Sequence, residues 1–173
     1  MNSLDRLVNW FWNLLESVLL ICIRLLEKII RRQIPEKTRQ ILLQFVKFGV
    51  VGVSNSLVNY VSYVTSLLLF RRIRWFGNTD YLAAQIIAFV LSVLWSYYWN
   101  HRYVFVEGGQ NTSLVVTLAK TFAAYSFTGL LLSEGLLLLW VRAVGLSEFV
   151  APILNILICL PINFLMNRFW AFQ

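Results

Sequence analysis

Two short stretches decide how this chain is read: Trp99-Asn100-His101-Arg102-Tyr103-Val104-Phe105 and Met166-Asn167-Arg168-Phe169-Trp170-Ala171-Phe172. Each closes a long apolar run with Asn, a basic residue and aromatics. That is the chemistry of a helix leaving a bilayer. Asn can stop the helix, a long cationic side chain reaches the phosphate layer, and Tyr or Trp sits at the interface. The two copies lie 67 positions apart, which points to an internal duplication in a membrane protein.

Composition agrees. Apolar residues make up 59% of the chain and charged residues 13%, with a mean hydropathy of +0.69. A soluble domain is nearer about 45–50% apolar and about 25% charged. At 173 residues there is room for one domain. The net charge of +7 sits mostly beside the apolar runs, so anionic lipid head groups are the expected partner and nucleic acid is not. Cys22 and Cys159 lie in separate apolar segments and read as small buried hydrophobes. The positive charges near the N-terminus follow the apolar region, which is not the order of a cleavable signal.

Four apolar runs have the length of spanning helices, at about Phe45–Phe70, Tyr81–Trp99, Leu118–Trp140 and Phe149–Met166. Residues 1–40 differ. Asp5, Asn9, Asn13, Glu16, Glu27 and Arg31 form a polar stripe opposite Leu7, Phe11, Leu14, Val18, Cys22 and Leu25. This predicts an amphipathic helix on the membrane surface, because Asn13 and Glu16 in mid-run argue against a fifth span. Ile34-Pro35-Glu36 separates it from the next helix. The flexible loop Glu107-Gly108-Gly109-Gln110-Asn111 divides the rest into two halves.

The expected fold is therefore all-α and polytopic. Four transmembrane helices form two parallel two-helix repeats, 45–105 and 118–172, within a domain at 41–173, preceded by the surface helix at 1–40. Phe48 to Asn55 lies over Phe122 to Gly129, with small residues meeting at Gly49/Ala123, Gly52/Ser126 and Ser54/Thr128. These small faces are candidate contacts for a homodimer. Eleven Lys and Arg fall on the side of the termini and four on the other, including the cluster Arg71, Arg72 and Arg74. That places both termini in the cytoplasm.

Polar residues within the spans form stripes at helical spacing: Asn55, Asn59, Ser62 and Ser66; Gln85, Ser92 and Ser96; then Asn155, Cys159, Asn163 and Asn167 behind Pro152. Inward-facing stripes serve either as interhelical glue or as a polar path for a head group. Glu134 is the one acidic residue within a span, a candidate for proton coupling or for the outer interface. Arg102, Arg168, Lys47 and Lys120 end the helices on the cytoplasmic side and are candidate phosphate ligands together with Asn100 and Asn167. Pro161 is placed to kink the last span. His101, the single histidine, has no partner spacing for zinc, and no catalytic triad, metal cluster or phosphate loop is visible. No cofactor and no enzyme chemistry are expected.

The arrangement of Phe48, Gly52, Asn55, Ser56, Leu57, Asn59 and Tyr60, followed by the two exit motifs, resembles the GtrA-like family of small four-span bacterial membrane proteins. The resemblance covers roughly residues 41–173. It implies a bacterial cytoplasmic-membrane protein of surface polysaccharide or teichoic-acid glycosylation. Such a protein would flip a polyprenyl-phosphate-linked sugar beside a polyprenyl-phosphate glycosyltransferase. The matching positions are Gly52, Asn55, Asn59, Asn100, Arg102, Asn163, Asn167 and Arg168. His101 stands where a second Arg is common, Phe169 breaks the basic pair of the second copy, and Ser96 replaces the Asn found at Asn163. A non-transporting adaptor that anchors or regulates the glycosyltransferase is the competing reading, with residues 1–40 as its docking surface.

Overall fold

The computed structural model describes residues 3–73, 80–105, 113–146 and 150–172. The expected loop Glu107–Asn111, Arg74 of the basic cluster and Glu148 lie outside the described residues. Helix α1 is Ser3–Ile30 and α2 is Glu36–Ile73. Helix α3 is Asp80–Trp99, carried on by Asn100–Val104. Helix α4 is Leu114–Ala143, and α5 is Ala151–Met166 carried on by Asn167–Ala171. Among the described residues, α2 to α5 each hold a stretch long and apolar enough to cross a membrane. The protein is an all-helical, multi-pass membrane protein.

The chain forms two compact units, Met1–Lys47 and Phe48–Gln173. In the first, α1 ends at Arg31, whose φ of 56° lies in the left-handed region, and Pro35 precedes α2. Glu27 fastens this turn: its carboxylate accepts from the Ile34 N–H at 2.9 Å and from Arg39 at 3.1 Å. Glu16 pairs with Lys47 at 2.7 Å. The Ile34 N–H and the Arg39 guanidinium hold the Glu27 carboxyl below its ordinary pKa. A depressed carboxyl stabilises the fold above its ordinary pKa, and that contribution disappears as pH falls through the lower folded value. The Ile34 amide is thus expected to keep its hydrogen-exchange protection factor at neutral pH and lose it in that acid window. A Glu27→Gln variant should lose most of the pH dependence.

In the second unit, Phe48, Phe105, Phe164 and Phe172 form an aromatic cluster. Phe105 and Phe172 are 4.8 Å apart between ring centroids, Phe48 and Phe164 5.6 Å, and Phe48 and Phe105 6.1 Å. Ala84, Ala88, Ala124, Ala151 and Ala171 are fully buried, which lets backbones approach closely where no hydrophobic force draws helices together.

The two exit stretches do not stop their helices at Asn. Each continues as a single wide turn in which a backbone N–H bonds five residues back, Phe105 to Asn100 at 2.8 Å and Phe172 to Asn167 at 2.9 Å. Both Asn side chains are completely buried, so their amides serve the interior rather than cap the helix. The wide turn swings Phe105 and Phe172 inward to meet each other.

Candidate functional site: a polar-floored groove and a half-buried arginine

An open-sided groove of about 530 Å³ runs between α2, α4 and α5. Helix α2 gives Gly49, Gly52, Val53 and Ser56. Helix α4 gives Tyr125, Thr128, Gly129 and Ser133, and α5 gives Asn155, Cys159 and Asn163. The glycines make the space: a Cβ built on Gly49, Gly52 or Gly129 meets nothing within 4 Å. These faces border a groove, and the expectation that they pack in a dimer concerns contacts beyond this chain. Among the described residues, none that line the groove is a carboxylate or a strong base.

Polar side chains floor this apolar trough. Asn155 is nine-tenths buried and donates its amide to the Ser133 carbonyl at 2.7 Å and hydroxyl at 3.2 Å. Its buried Oδ1 has no partner among the described residues. Deeper in, Tyr125 bonds Ser96 and also engages Asn100 and Asn163. Asn100 donates to Ser96 Oγ at 3.1 Å, and Asn167 donates to Asn163 O at 2.9 Å and to its Oδ1 at 3.0 Å. One tyrosine of α4 thus joins two i,i+4 pairs at matching places on α3 and α5. Those amide donors fix the Asn orientations. Asn100 Oδ1, Asn167 Oδ1 and Thr121 Oγ1 are left buried without partners among the described residues.

The other path residues divide between glue and groove. Asn59 donates to Ser92 Oγ at 3.4 Å, and Trp95 donates to Ser54 Oγ at 3.1 Å, both tying α2 to α3. Asn59, Ser92 and Ser96 are outside the groove lining, as is Asn55, whose Oδ1 is buried without a partner among the described residues. Glu134 is exposed and also outside the lining, one residue beyond Ser133.

The basic residues are placed very differently. Arg102 is exposed, donates to Tyr98 Oη at 3.3 Å and lies over the Tyr103 ring at 5.6 Å. Lys120 is half-buried on α4, and Lys47 is taken up by Glu16. Arg168 is half-buried with its guanidinium 5.4 Å from the Phe169 ring centroid. Its Nε and Nη1 are buried and have no hydrogen-bond partner among the described residues. Because both wide turns start at Asn, the residue in Arg168's place on α3 is His101, and Arg102 corresponds to Phe169. His101 stacks on Tyr97 at 5.7 Å and faces Phe172 at 6.3 Å.

The family model for the transmembrane domain of GtrA/DPMS proteins matches residues 47–172 of this chain. The chain belongs to this family. An uncharacterised membrane protein, YwcD of Bacillus subtilis strain 168, is 24% identical over 124 residues, covering 72% of this chain and 92% of YwcD. The cell wall teichoic acid glycosylation protein GtcA of Listeria innocua serovar 6a is 27% identical over 96 residues, covering 56% of this chain and 66% of GtcA. No solved structure matches.

The family match begins at Lys47, so the groove, the Tyr125 node and Arg168 all lie inside it and α1 lies outside. Sequence reading did not single out Tyr125 or Thr121 as site residues, and placed Thr128 only among the small residues matched between the halves. The signal was present: Thr117, Thr121, Tyr125 and Thr128 recur at three- and four-residue spacing on α4 and mark one polar face.

Proposed function

We propose that this protein moves a polyprenyl-phosphate-linked sugar from the cytoplasmic to the outer leaflet for glycosylation of a cell-wall polymer. The observation that carries the reading is Arg168. Just past Asn167, on the helix whose Asn155 and Asn163 floor the groove, a half-buried cation has two buried N–H groups without a hydrogen-bond partner among the described residues. A buried N–H without an acceptor is costly, the more so on a cation, and a phosphate oxygen accepting those N–H groups removes the cost. The teichoic-acid role of the Listeria relative supports the polymer context.

In this reading the phosphate rests against Arg168, the isoprenoid tail stays in lipid, and the sugar passes along Asn163, Tyr125, Ser133 and Asn155. A sugar hydroxyl left bare in hydrocarbon costs several kcal/mol, so a path of amides and hydroxyls lowers the barrier hydroxyl by hydroxyl. Asn155 Oδ1 is an acceptor waiting for such a donor. In this reading consumption of the sugar on the far side drives transport, and a glycosyltransferase on the near side is the natural source of substrate.

The test uses purified protein in liposomes holding a short-chain polyprenyl-phosphate sugar, with an impermeant oxidant outside. Loss of protection should be faster than in empty liposomes. Equal rates with folded protein present would overturn flipping by this chain alone. Filling the groove gives an internal control. Gly52→Leu adds a side chain where a Cβ meets open space. It should leave stability unchanged or raised by up to about 1 kcal/mol through helix propensity, while transport falls to background.

A further inference from the structure

We infer that the N-terminal unit is a docking surface for an anionic bilayer, with α1 lying along the lipid surface by one exposed stripe. Leu7, Phe11, Leu14, Val18, Ile21, Leu25 and Ile29 recur at three- and four-residue spacing, and all are between 45% and 76% exposed. At 1.5 Å per residue this stripe is roughly 33 Å long. It is not the face that the unit uses internally. Trp12 and Ile23 are buried, and Glu16 and Glu27 are held by Lys47 and Arg39.

Charge says what covers the stripe. The carboxylates Glu16, Glu27 and Glu36 are all engaged in ion pairs. Lys28, Arg31 and Arg32 make no ion pair among the described residues, and Arg24 adds to the positive field at Glu27. A cationic end beside an apolar stripe complements an anionic headgroup layer over acyl chains. Trp10, 63% exposed beside the stripe, is the aromatic expected at headgroup depth. This unit precedes the family domain, so the family match assigns it nothing. The inference is independent of the flippase reading.

The test uses the full-length protein in nanodiscs of phosphatidylcholine with and without phosphatidylglycerol. Nitroxide labels go one at a time to Leu7, Leu14, Val18 and Leu25, and to Ser17 on the polar flank. Collisions with oxygen and with a water-soluble nickel chelate report depth. The expected result is one shallow depth for all four stripe labels, with Ser17 in water. Omitting phosphatidylglycerol should raise nickel collisions at the stripe several-fold. Lys28→Gln, Arg31→Gln and Arg32→Gln together should do the same in anionic discs, and the wild-type lipid comparison needs no variant. A depth profile peaking at Leu14 and Val18 would show a spanning helix and overturn the inference. Protection from both reagents would show a protein partner and also overturn it, as would identical collision rates in the two lipids.

Discussion

Arg168→Gln is expected to lower affinity for polyprenyl phosphate about 100-fold while leaving the empty protein as stable as before or more so. The guanidinium presents two buried N–H groups that no acceptor among the described residues satisfies. Each charge-assisted bond to phosphate contributes about 1.5–3 kcal/mol, so losing both costs at least about 3 kcal/mol, or two orders of magnitude. Without ligand two of its nitrogens are desolvated and lack an acceptor among the described residues, so the substitution should not cost the fold stability. Opposite signs on binding and on stability distinguish a ligand-binding arginine from a structural one. Arg102→Gln serves as the comparison. Arg102 is exposed, donates to Tyr98 and lies over the Tyr103 ring. Its loss should change affinity by about 1 kcal/mol or less, as for other solvent-screened charges. Binding of a short-chain polyprenyl phosphate, set beside thermal stability in detergent, decides the matter. Equal losses in the two variants would remove Arg168 from its special position.

The largest stability effect is expected at Phe48. It is 1% exposed and meets the rings of Phe105 and Phe164, so it holds its stretch of α2 against the last residues of α3 and α5. In a bilayer the transfer term is small, because lipid is as apolar as the protein interior. What Phe48→Ala loses is dispersion contact around a ring-sized cavity, so about 3 kcal/mol is expected, the low end of the range for buried Phe. Val53 on the same helix is 76% exposed, and Val53→Ala should stay within about 0.5 kcal/mol. Unfolding of the two variants in bicelles gives the comparison. Similar costs would mean that the aromatic cluster is not the core.

Much of this was legible from residue order. Apolar run lengths gave four spans, and Ile34-Pro35-Glu36 gave the break between α1 and α2, because both depend on local chemistry. The polar stripes of α5 were legible for the same reason: three- and four-residue spacing puts Asn155, Asn163 and Asn167 on one face whatever lies opposite.

What lies opposite was decided by tertiary structure. Spacing gave Asn100 and Asn167 as helix stops near a head group, whereas both are buried, Asn100 against Tyr125 and Asn167 against Asn163. Spacing gave Arg102 and Arg168 as equals, whereas packing leaves one exposed and buries two nitrogens of the other without a hydrogen-bond partner among the described residues. Glu16, the acid that argued against a span, is matched by Lys47 from 31 positions away. The sequence by itself determined which segments enter the membrane, since that depends on the summed transfer energy of neighbouring residues. Only the fold determined which polar atoms remain without partners, since that depends on which helix faces which.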